Sequence, residues 1–130
     1  MFRRRRSLVA LFVWLAVVQG CQQQSASKPN LTVSYEVSPV PARVGDVTIT
    51  ITMTDGSEKP IAGARIKLEG NMSHAGMAPV FADAQEIGPG RYQTSMKLTM
   101  AGDWQVLVHL TLPDGREVNQ QFEIKEVAPA

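Results

Sequence analysis

The sequence predicts an all-β protein, an immunoglobulin-like antiparallel β-sandwich of about seven strands, preceded by a signal peptide. Three observations indicate this fold class. Apolar and polar residues alternate with a period of two in several segments, as they do in half-buried strands. Turn-forming residues separate these segments at short intervals. After the signal, no segment keeps apolar residues at helical spacing for more than about two turns.

Six strands can be placed from this alternation. In the clearest, Val47, Ile49 and Ile51 alternate with threonines, which face the opposite side of the sheet. Segment 112–116, Leu-Pro-Asp-Gly-Arg, is the clearest hairpin turn. The chain has one cysteine, which argues against a true immunoglobulin domain with its disulfide but not against the sandwich. The predicted strands are 31–37, 47–54, 64–68, 92–100, 104–110 and 118–124.

The N-terminus has the parts of a secretory signal. Arg3–Arg6 form a basic region, Leu8–Val18 form an apolar region, and Val18-Gln19-Gly20-Cys21 resembles a bacterial lipobox. A single membrane-spanning anchor is the alternative, but the apolar region is too short for a hydrocarbon core that needs about 20 residues. Residues 5–9 also resemble a twin-arginine motif, so the Sec and twin-arginine export routes both stay open. We expect a lipoprotein signal peptide at 1–20, a polar tether at 21–30 that begins with lipidated Cys21, and a folded domain at 31–126.

The charge of the mature chain excludes one class of partner. Cleavage before Cys21 removes four arginines, leaves nine basic against 12 acidic residues, and moves the formal charge from +1 to −3. No basic segment then remains to attract nucleic acid, so we expect no nucleic-acid partner. If Cys21 is acylated, no thiol is free for a disulfide, and the fold depends on its hydrophobic core.

Segment 71–79, Asn-Met-Ser-His-Ala-Gly-Met-Ala-Pro, carries the candidate chemistry. It places two thioethers and one imidazole within six residues, with no carboxylate between them. Such ligands suit Cu(I), whereas calcium and magnesium need oxygen ligands. In extended chain Met72 and His74 lie on one side, and Gly76 can adopt the backbone angles that turn Met77 back toward them. The alternative is a loop of small and apolar residues that caps one end of the sandwich.

A fourth ligand would have to come from another segment. Met100, at the end of a predicted strand, is the best candidate for an accessory ligand. Met96 shares the face of Leu98 and is better explained as core, as is Met53. His109 falls on the more polar face of its strand, where a histidine is usually solvated. The predicted metal ligands are therefore Met72, His74, Met77 and Met100.

Several segments together resemble a known family. The runs Gly88-Pro89-Gly90-Arg91-Tyr92 and Leu98-Thr99-Met100-Ala101-Gly102-Asp103-Trp104-Gln105-Val106, with the Asp114-Gly115 hairpin, resemble the YtkA-like domain, a relative of the FixH family. Segment 70–79 is similar to the methionine-rich loop of that group, and the resemblance covers about residues 31–126. It implies a small β-sandwich on the outer side of the bacterial inner membrane or in the periplasm. Similar domains also occur next to copper-efflux adaptors, and FixH is associated with assembly of a copper-containing oxidase, although this chain lacks the transmembrane context of FixH.

Enzyme chemistry has little support in the sequence. Ser73 and His74 are adjacent, so they cannot act as nucleophile and base without a third group, and no nucleophile-elbow sequence surrounds them. Two histidines and one lipidated cysteine do not make a tetrahedral zinc site. Asp83, Glu86 and Asp103 are scattered along the chain, which disfavours a catalytic carboxylate pair. We expect that the protein is not an enzyme.

Two classes of function stay open at this point. The first is a membrane-anchored lipoprotein of the cell envelope, facing the periplasm or the extracytoplasmic side, that binds or transfers Cu(I) and exchanges it with a copper donor or acceptor protein. The second is a non-metal interaction module of an envelope complex, such as an efflux or oxidase-assembly accessory, which offers an edge strand or its apolar loop. Copper requires sulfur and imidazole, whereas a packing loop tolerates leucine in place of methionine. Inner or outer membrane and the oligomeric state are left open.

Overall fold

The computed structural model describes residues 30–73 and 76–130 of the chain. These residues form seven antiparallel strands and no helix, so the predicted all-β class is confirmed. Within the described part of the chain, no helix is long and apolar enough to cross a membrane. The strands are β1 (Leu31–Ser38), β2 (Gly45–Asp55), β3 (Arg65–Met72), β4 (Val80–Gly88), β5 (Arg91–Leu98), β6 (Gly102–Thr111) and β7 (Glu117–Val127).

Hydrogen bonding runs continuously through the strands in the order β1-β2-β5-β4-β3-β6-β7. Strand β4 divides this series into two layers, because its first half, Val80–Ala84, pairs with β3 and its second half, from Gln85, pairs with β5. One layer is β1-β2-β5 and the other is β3-β6-β7, with β4 shared between them. This is the strand arrangement of an immunoglobulin-like sandwich, as the sequence predicted.

The core lies between the two layers. Alternation along each strand sends every second side chain inward, and these positions on β2, β3, β5 and β6 are almost fully buried. The layers meet where Met96 of β5 packs against Gly70 of β3: a Cβ on Gly70 would lie 2.9 Å from the Met96 sulfur and 3.4 Å from the Trp104 ring. The largest fully buried side chains are Trp104, Tyr92, Ile49, Ile51, Met53, Leu68, Met96, Leu98 and Leu110.

The side of the sandwich between β1 and β7 is closed by side chains and by two backbone bonds. The rings of Tyr35 and Phe122 stack with centroids 4.3 Å apart, and the Tyr35 hydroxyl donates a hydrogen bond of 2.8 Å to Gln120. Beyond the end of β1, the Val44 N–H donates to the Ala128 carbonyl at 2.8 Å, and the Ala128 N–H donates back to Ala42. These contacts fix the chain after β7 against the segment between β1 and β2.

The sandwich has two ends, which we call proximal and distal. The proximal end is where the chain enters at Asn30, and it carries the turns 56–64, 89–90 and 112–116. Asn30 packs against Gly56 so closely that a Cβ on this glycine would be 2.8 Å from the Asn30 Cβ. The distal end carries the connections 39–44, 73–79 and 99–101. At about 3.3 Å per residue, the length of β1 separates the two ends by roughly 25 Å.

The structure departs from the predicted strands in several places. Strand β3 continues to Met72, four residues beyond the predicted end at 68, so this predicted ligand lies at a strand end and not in the loop, and β7 continues to Val127, three residues beyond its predicted end. Strand β4 was not placed from the sequence, because its inward residues are small and Phe81 points outward with 61% of its surface exposed. Strand β5 ends at Leu98, so the prediction that it continues to Met100 is wrong by two residues. The hairpin at 112–116 is confirmed, since the Leu112 N–H donates to the Arg116 carbonyl at 2.8 Å.

Candidate metal site

Met72 is the last residue of β3 and belongs to the inward-facing series of that strand. The strand ladder places it opposite Trp104 of β6. Its side chain is half-buried, and its terminal methyl carbon lies 3.3 Å from where a Cβ on Gly102 would be. Gly102, with φ of +120°, therefore supplies both the turn into β6 and the space that the Met72 side chain occupies.

Met100 lies in the short connection between β5 and β6, at the same end of the sandwich. Its side chain is 43% exposed, and its backbone carbonyl accepts a hydrogen bond of 2.9 Å from the Trp104 indole N–H. Trp104 itself is only 1% exposed, so the indole is a fixed anchor for this connection. Trp104 thus links two predicted ligands, Met72 through the strand ladder and Met100 through the indole hydrogen bond.

The remaining predicted ligands belong to the connection between β3 and β4. Gly76 has φ of +87°, the left-handed conformation that the predicted turn requires, and Met77 follows it with 36% of its side chain exposed. His74 lies outside the described residues, as does the predicted lipidation site, Cys21. The structure therefore places all three predicted methionine ligands at the distal end. Met72 is at the end of β3, Met77 is in the connection 73–79, and Met100 is in the connection 99–101.

An open cleft of about 250 Å³ adjoins Met72. Two carboxylates of its polar wall already have partners within the protein. The Asp103 carboxylate accepts a hydrogen bond of 2.9 Å from the Glu126 N–H, and a Glu123 carboxylate oxygen lies 3.3 Å from Lys125 Nζ. The cleft combines one thioether with side chains of both charges, so its wall is not a dedicated oxygen site for a hard cation. The lining residues are Met72, Ser73, Asp103, Trp104, Gln105, Glu123 and Lys125.

The weaker candidates lie elsewhere. Met53 and Met96 are 0% and 1% exposed, which confirms that both belong to the core. His109 is exposed on the outer face of the β3-β6-β7 layer, five residues along β6 from Trp104. It makes a hydrogen bond of 2.8 Å with Asn119 and lies 3.7 Å from a Glu69 carboxylate oxygen. At strand spacing, five residues put His109 about 17 Å from the Met72 position, too far for a shared ion.

Within residues 30–73 and 76–130, no three histidine, cysteine, aspartate or glutamate side chains are grouped so that they could hold a metal ion. That result leaves the thioethers as the soft donors that the described distal end offers. The sequence reasoning did not single out two residues that shape the distal end. Trp104 was recognised only as part of a motif, although its spacing of four from Met100 allows the observed hydrogen bond. Val40 was not singled out, although a valine between two prolines in a turn is a signal for a held, exposed apolar side chain.

Comparison with known proteins identifies the family. A family model described as YtkA-like matches residues 26–109, which begins within the predicted tether and ends in β6. No curated protein matches the chain. Among solved structures, the chain is similar to the crystal structure of MtrC from Shewanella baltica OS185, with 18% identity, a TM-score of 0.47, and coverage of 77% of this chain and 22% of that chain. It is also similar to murine CRIg, with 14% identity, a TM-score of 0.43, and coverage of 76% and 98%.

This chain spans about a fifth of the length of MtrC. The family resemblance seen in the sequence is confirmed, whereas the relation to FixH stays a prediction. Because the matched residues make up more than half of the chain, the protein belongs to the YtkA-like family.

Proposed function

We propose that this protein is a lipid-anchored protein of the bacterial cell envelope that binds Cu(I) at its distal end and exchanges it with another protein. One observation carries the proposal: Met72 and Met100 are distant in sequence, and Trp104 holds both at the same end of the domain. Membership of the YtkA-like family and the lipobox at Cys21 support the setting in the envelope.

The donor chemistry favours a soft, singly charged ion. Thioether sulfur is neutral and polarisable, so it selects Cu(I) over hard cations and binds it without needing deprotonation. Met72 is half-buried at a strand end, whereas Met77 and Met100 are exposed on connections. A fixed inner ligand with accessible outer ligands suits exchange, because an incoming protein can replace the outer thioethers one at a time. His74, between Met72 and Met77 in sequence, is the predicted imidazole ligand.

The position of the anchor supports the same role. The tether from Cys21 joins the domain at Asn30, on the proximal end, roughly 25 Å from the methionines. A lipid on Cys21 would therefore attach the domain to the membrane by the end that lacks the candidate ligands. The distal end is then directed toward the aqueous compartment, where a copper donor or acceptor protein can reach it.

A competition titration with a chromophoric Cu(I) chelator tests the proposal, using soluble residues 22–130. The wild-type domain should bind about one Cu(I), and the Met72→Leu/His74→Ala/Met77→Leu variant should lose this binding while it keeps its fold. Met100→Leu should weaken binding less, as an accessory ligand. Met53→Leu is the matched control, since it removes a thioether from the core near the other end and should bind like the wild type. Binding that is equal in all variants, or absent in the wild type, would refute copper binding at this loop.

The second candidate function, a protein-interaction module without a metal, is favoured by a different observation. Val40, Met77 and Met100 are the exposed large apolar side chains of the distal connections, and Val40 is 88% exposed. A module of this kind would tolerate leucine at both methionines and keep its partner. Partner binding that survives Met77→Leu/Met100→Leu, together with no Cu(I) binding by the wild type, would establish this alternative.

A further inference from the structure

We infer that the distal tip, which we define as residues 39–41, 76–79 and 99–101, is the docking surface for a separate folded protein that approaches through the aqueous phase. The partner is one that presents an apolar surface patch. This inference depends on the lipid anchoring in the proposed function, but it does not depend on copper binding.

The composition of the tip is the first argument. Every residue of the tip is exposed, none is charged, and the large side chains are aliphatic or thioether. Soluble domains seldom leave several apolar loops exposed together unless another surface covers them. At the opposite end, the turns carry Glu58, Lys59, Asp114 and Arg116 instead. The apolar character therefore belongs to one end of the sandwich and is not a general property of its loops.

The rigidity of the tip is the second argument. Val40 stands between Pro39 and Pro41, and Pro79 ends the next part of the tip. Proline fixes φ and so removes backbone freedom that a binding loop would otherwise lose on association. The Trp104 indole holds the third part through the Met100 carbonyl. A tip that is already ordered before binding can dock with a small entropic cost.

Charge around the tip decides between a protein and a lipid surface. Apolar loops that enter an anionic bilayer are normally accompanied by basic clusters, which the lipid head groups attract. Here the acidic residues in and beside the strand ends that border the tip outnumber the basic ones, and Lys125 lies 3.3 Å from a Glu123 carboxylate oxygen, so the surroundings are mixed in charge, as in the polar rim of a protein–protein interface. The acidic residues are Asp46, Asp103, Glu123 and Glu126, and the basic residues are Arg43, Lys97 and Lys125.

The site of chain entry disfavours two further occupants. The chain enters at the end opposite the tip, so an anchored domain brings the tip to its own membrane only by turning over on its tether. Two copies anchored side by side in one membrane would meet tip to tip only if both domains turned in this way. A different protein that approaches from the aqueous side is the occupant that satisfies both the charge and the geometry.

Photo-crosslinking in intact bacterial cells tests the inference on the full-length protein. A photoreactive amino acid at Thr99 of the tip should give one discrete adduct with another protein, and the same group at Ser57 of the proximal end should not. Val40→Asp should reduce the Thr99 adduct at least tenfold, because it places an unpaired charge in the apolar contact. The protein identified in the adduct is then purified, and its affinity for the wild-type domain should fall at least tenfold with Val40→Asp.

Each contrary result overturns the inference. An adduct of twice the mass of this chain would identify a second copy, an adduct with lipid would identify the membrane, and equal adducts from Thr99 and Ser57 would show no preference for the tip. The absence of any adduct, or unchanged affinity of the purified protein for Val40→Asp, would also refute it.

Because Val40 is so exposed, the Val40→Asp variant should unfold at the same temperature as the wild type and should bind Cu(I) in the same titration. Membrane fractionation with Cys21→Ser tests anchoring separately, so failure of either part of the proposed function is recognised independently.

Discussion

The proximal and distal ends of this sandwich are built from the same strands but in different ways. At the proximal end the turns pack on one another: the Met53 N–H donates to the Gly90 carbonyl at 2.8 Å, and the Ile61 N–H donates to the Met53 carbonyl at 3.1 Å. At the distal end the Trp104 indole holds one connection and the Ala128 backbone holds another, whereas Val40, Met77 and Met100 stay exposed. One end therefore stabilises the fold, and the other leaves its large side chains exposed. Function can change at the distal end without loss of the core.

The largest expected effect comes from adding one methyl group at each end. Gly90 has φ of +70°, and a Cβ there would lie 2.7 Å from the Met53 carbonyl oxygen and 2.8 Å from the Pro60 Cβ. Gly90→Ala should lower the free energy of unfolding by about 3 kcal/mol or more, from backbone strain together with overpacking. Gly76→Ala meets no atom within 4 Å, so it should cost only the left-handed conformation, about 1 kcal/mol. Urea denaturation of the two variants measures both values, and equal losses would contradict the division between the ends.

The second prediction removes one hydroxyl group from the proximal end. The Tyr92 hydroxyl donates a hydrogen bond of 2.7 Å to the Ile61 carbonyl and accepts one of 3.1 Å from the Ala64 N–H. Tyr92→Phe leaves both backbone groups without this partner, so it should lower the free energy of unfolding by about 2 kcal/mol. Tyr35→Phe is the control, since the lost partner, Gln120, is a side chain that can bond to water instead. A loss for Tyr92→Phe no larger than for Tyr35→Phe would show that the proximal turns do not depend on this hydroxyl.

The third prediction concerns high pH, where the same two tyrosines titrate. Burial raises the pKa of Tyr35 to about 12, and burial is also the largest cause of the raised pKa of Tyr92. The unfolded chain loses these protons near pH 10, before the folded chain does. Stability is therefore complete below pH 10 and falls as the pH rises from 10 toward 12. The urea midpoint measured across this range should decline less steeply in Tyr35→Phe, and an unchanged slope would contradict burial as the cause.

The sequence predicts the fold well where alternation is strong and poorly where a strand serves both layers. Strand β2 was placed from its alternating valine, isoleucine and threonine residues, because one of its faces is wholly buried. Strand β4 was missed because Ala82 and Ala84 face inward while Phe81 faces solvent, which reverses the usual pattern. Since β4 also pairs half with β3 and half with β5, neither half is long enough to show a clear period.

The candidate site was predictable only in its residue types. Methionine and histidine in one short segment indicated soft-metal chemistry, and the structure places Met72, Met77 and Met100 at one end. The link between Met72 and Met100 depends on the register of β3 with β6 and on the Trp104 indole bond. The register is a long-range contact that no local pattern specifies, and the indole bond, although it spans only four residues, depends on the strand pairing that buries Trp104. Strand β5 ends before Met100 for a similar reason. The turn that places Gly102 against the Met72 side chain already begins after Leu98.

The last prediction has the smallest expected effect on stability and the most direct bearing on the distal end. Peroxide converts methionine to its sulfoxide at a rate that follows the exposure of the sulfur. Met77 and Met100 should be oxidised first, Met72 next, and the buried Met53 and Met96 last, as measured by peptide mass spectrometry. Oxidation of Met77 and Met100 should leave the unfolding temperature unchanged, because both sulfurs already lie near solvent.

Silver(I), a soft ion that does not cycle with peroxide, should then protect the distal methionines by occupying their sulfur lone pairs. Met53 and Met96 serve as internal controls, since a stabilising effect of silver on the whole fold would slow their oxidation as well. If silver slows all the methionines equally, or slows none of them, the distal thioethers do not form a soft-metal site, and the protein-interaction module becomes the better candidate for the function of this end.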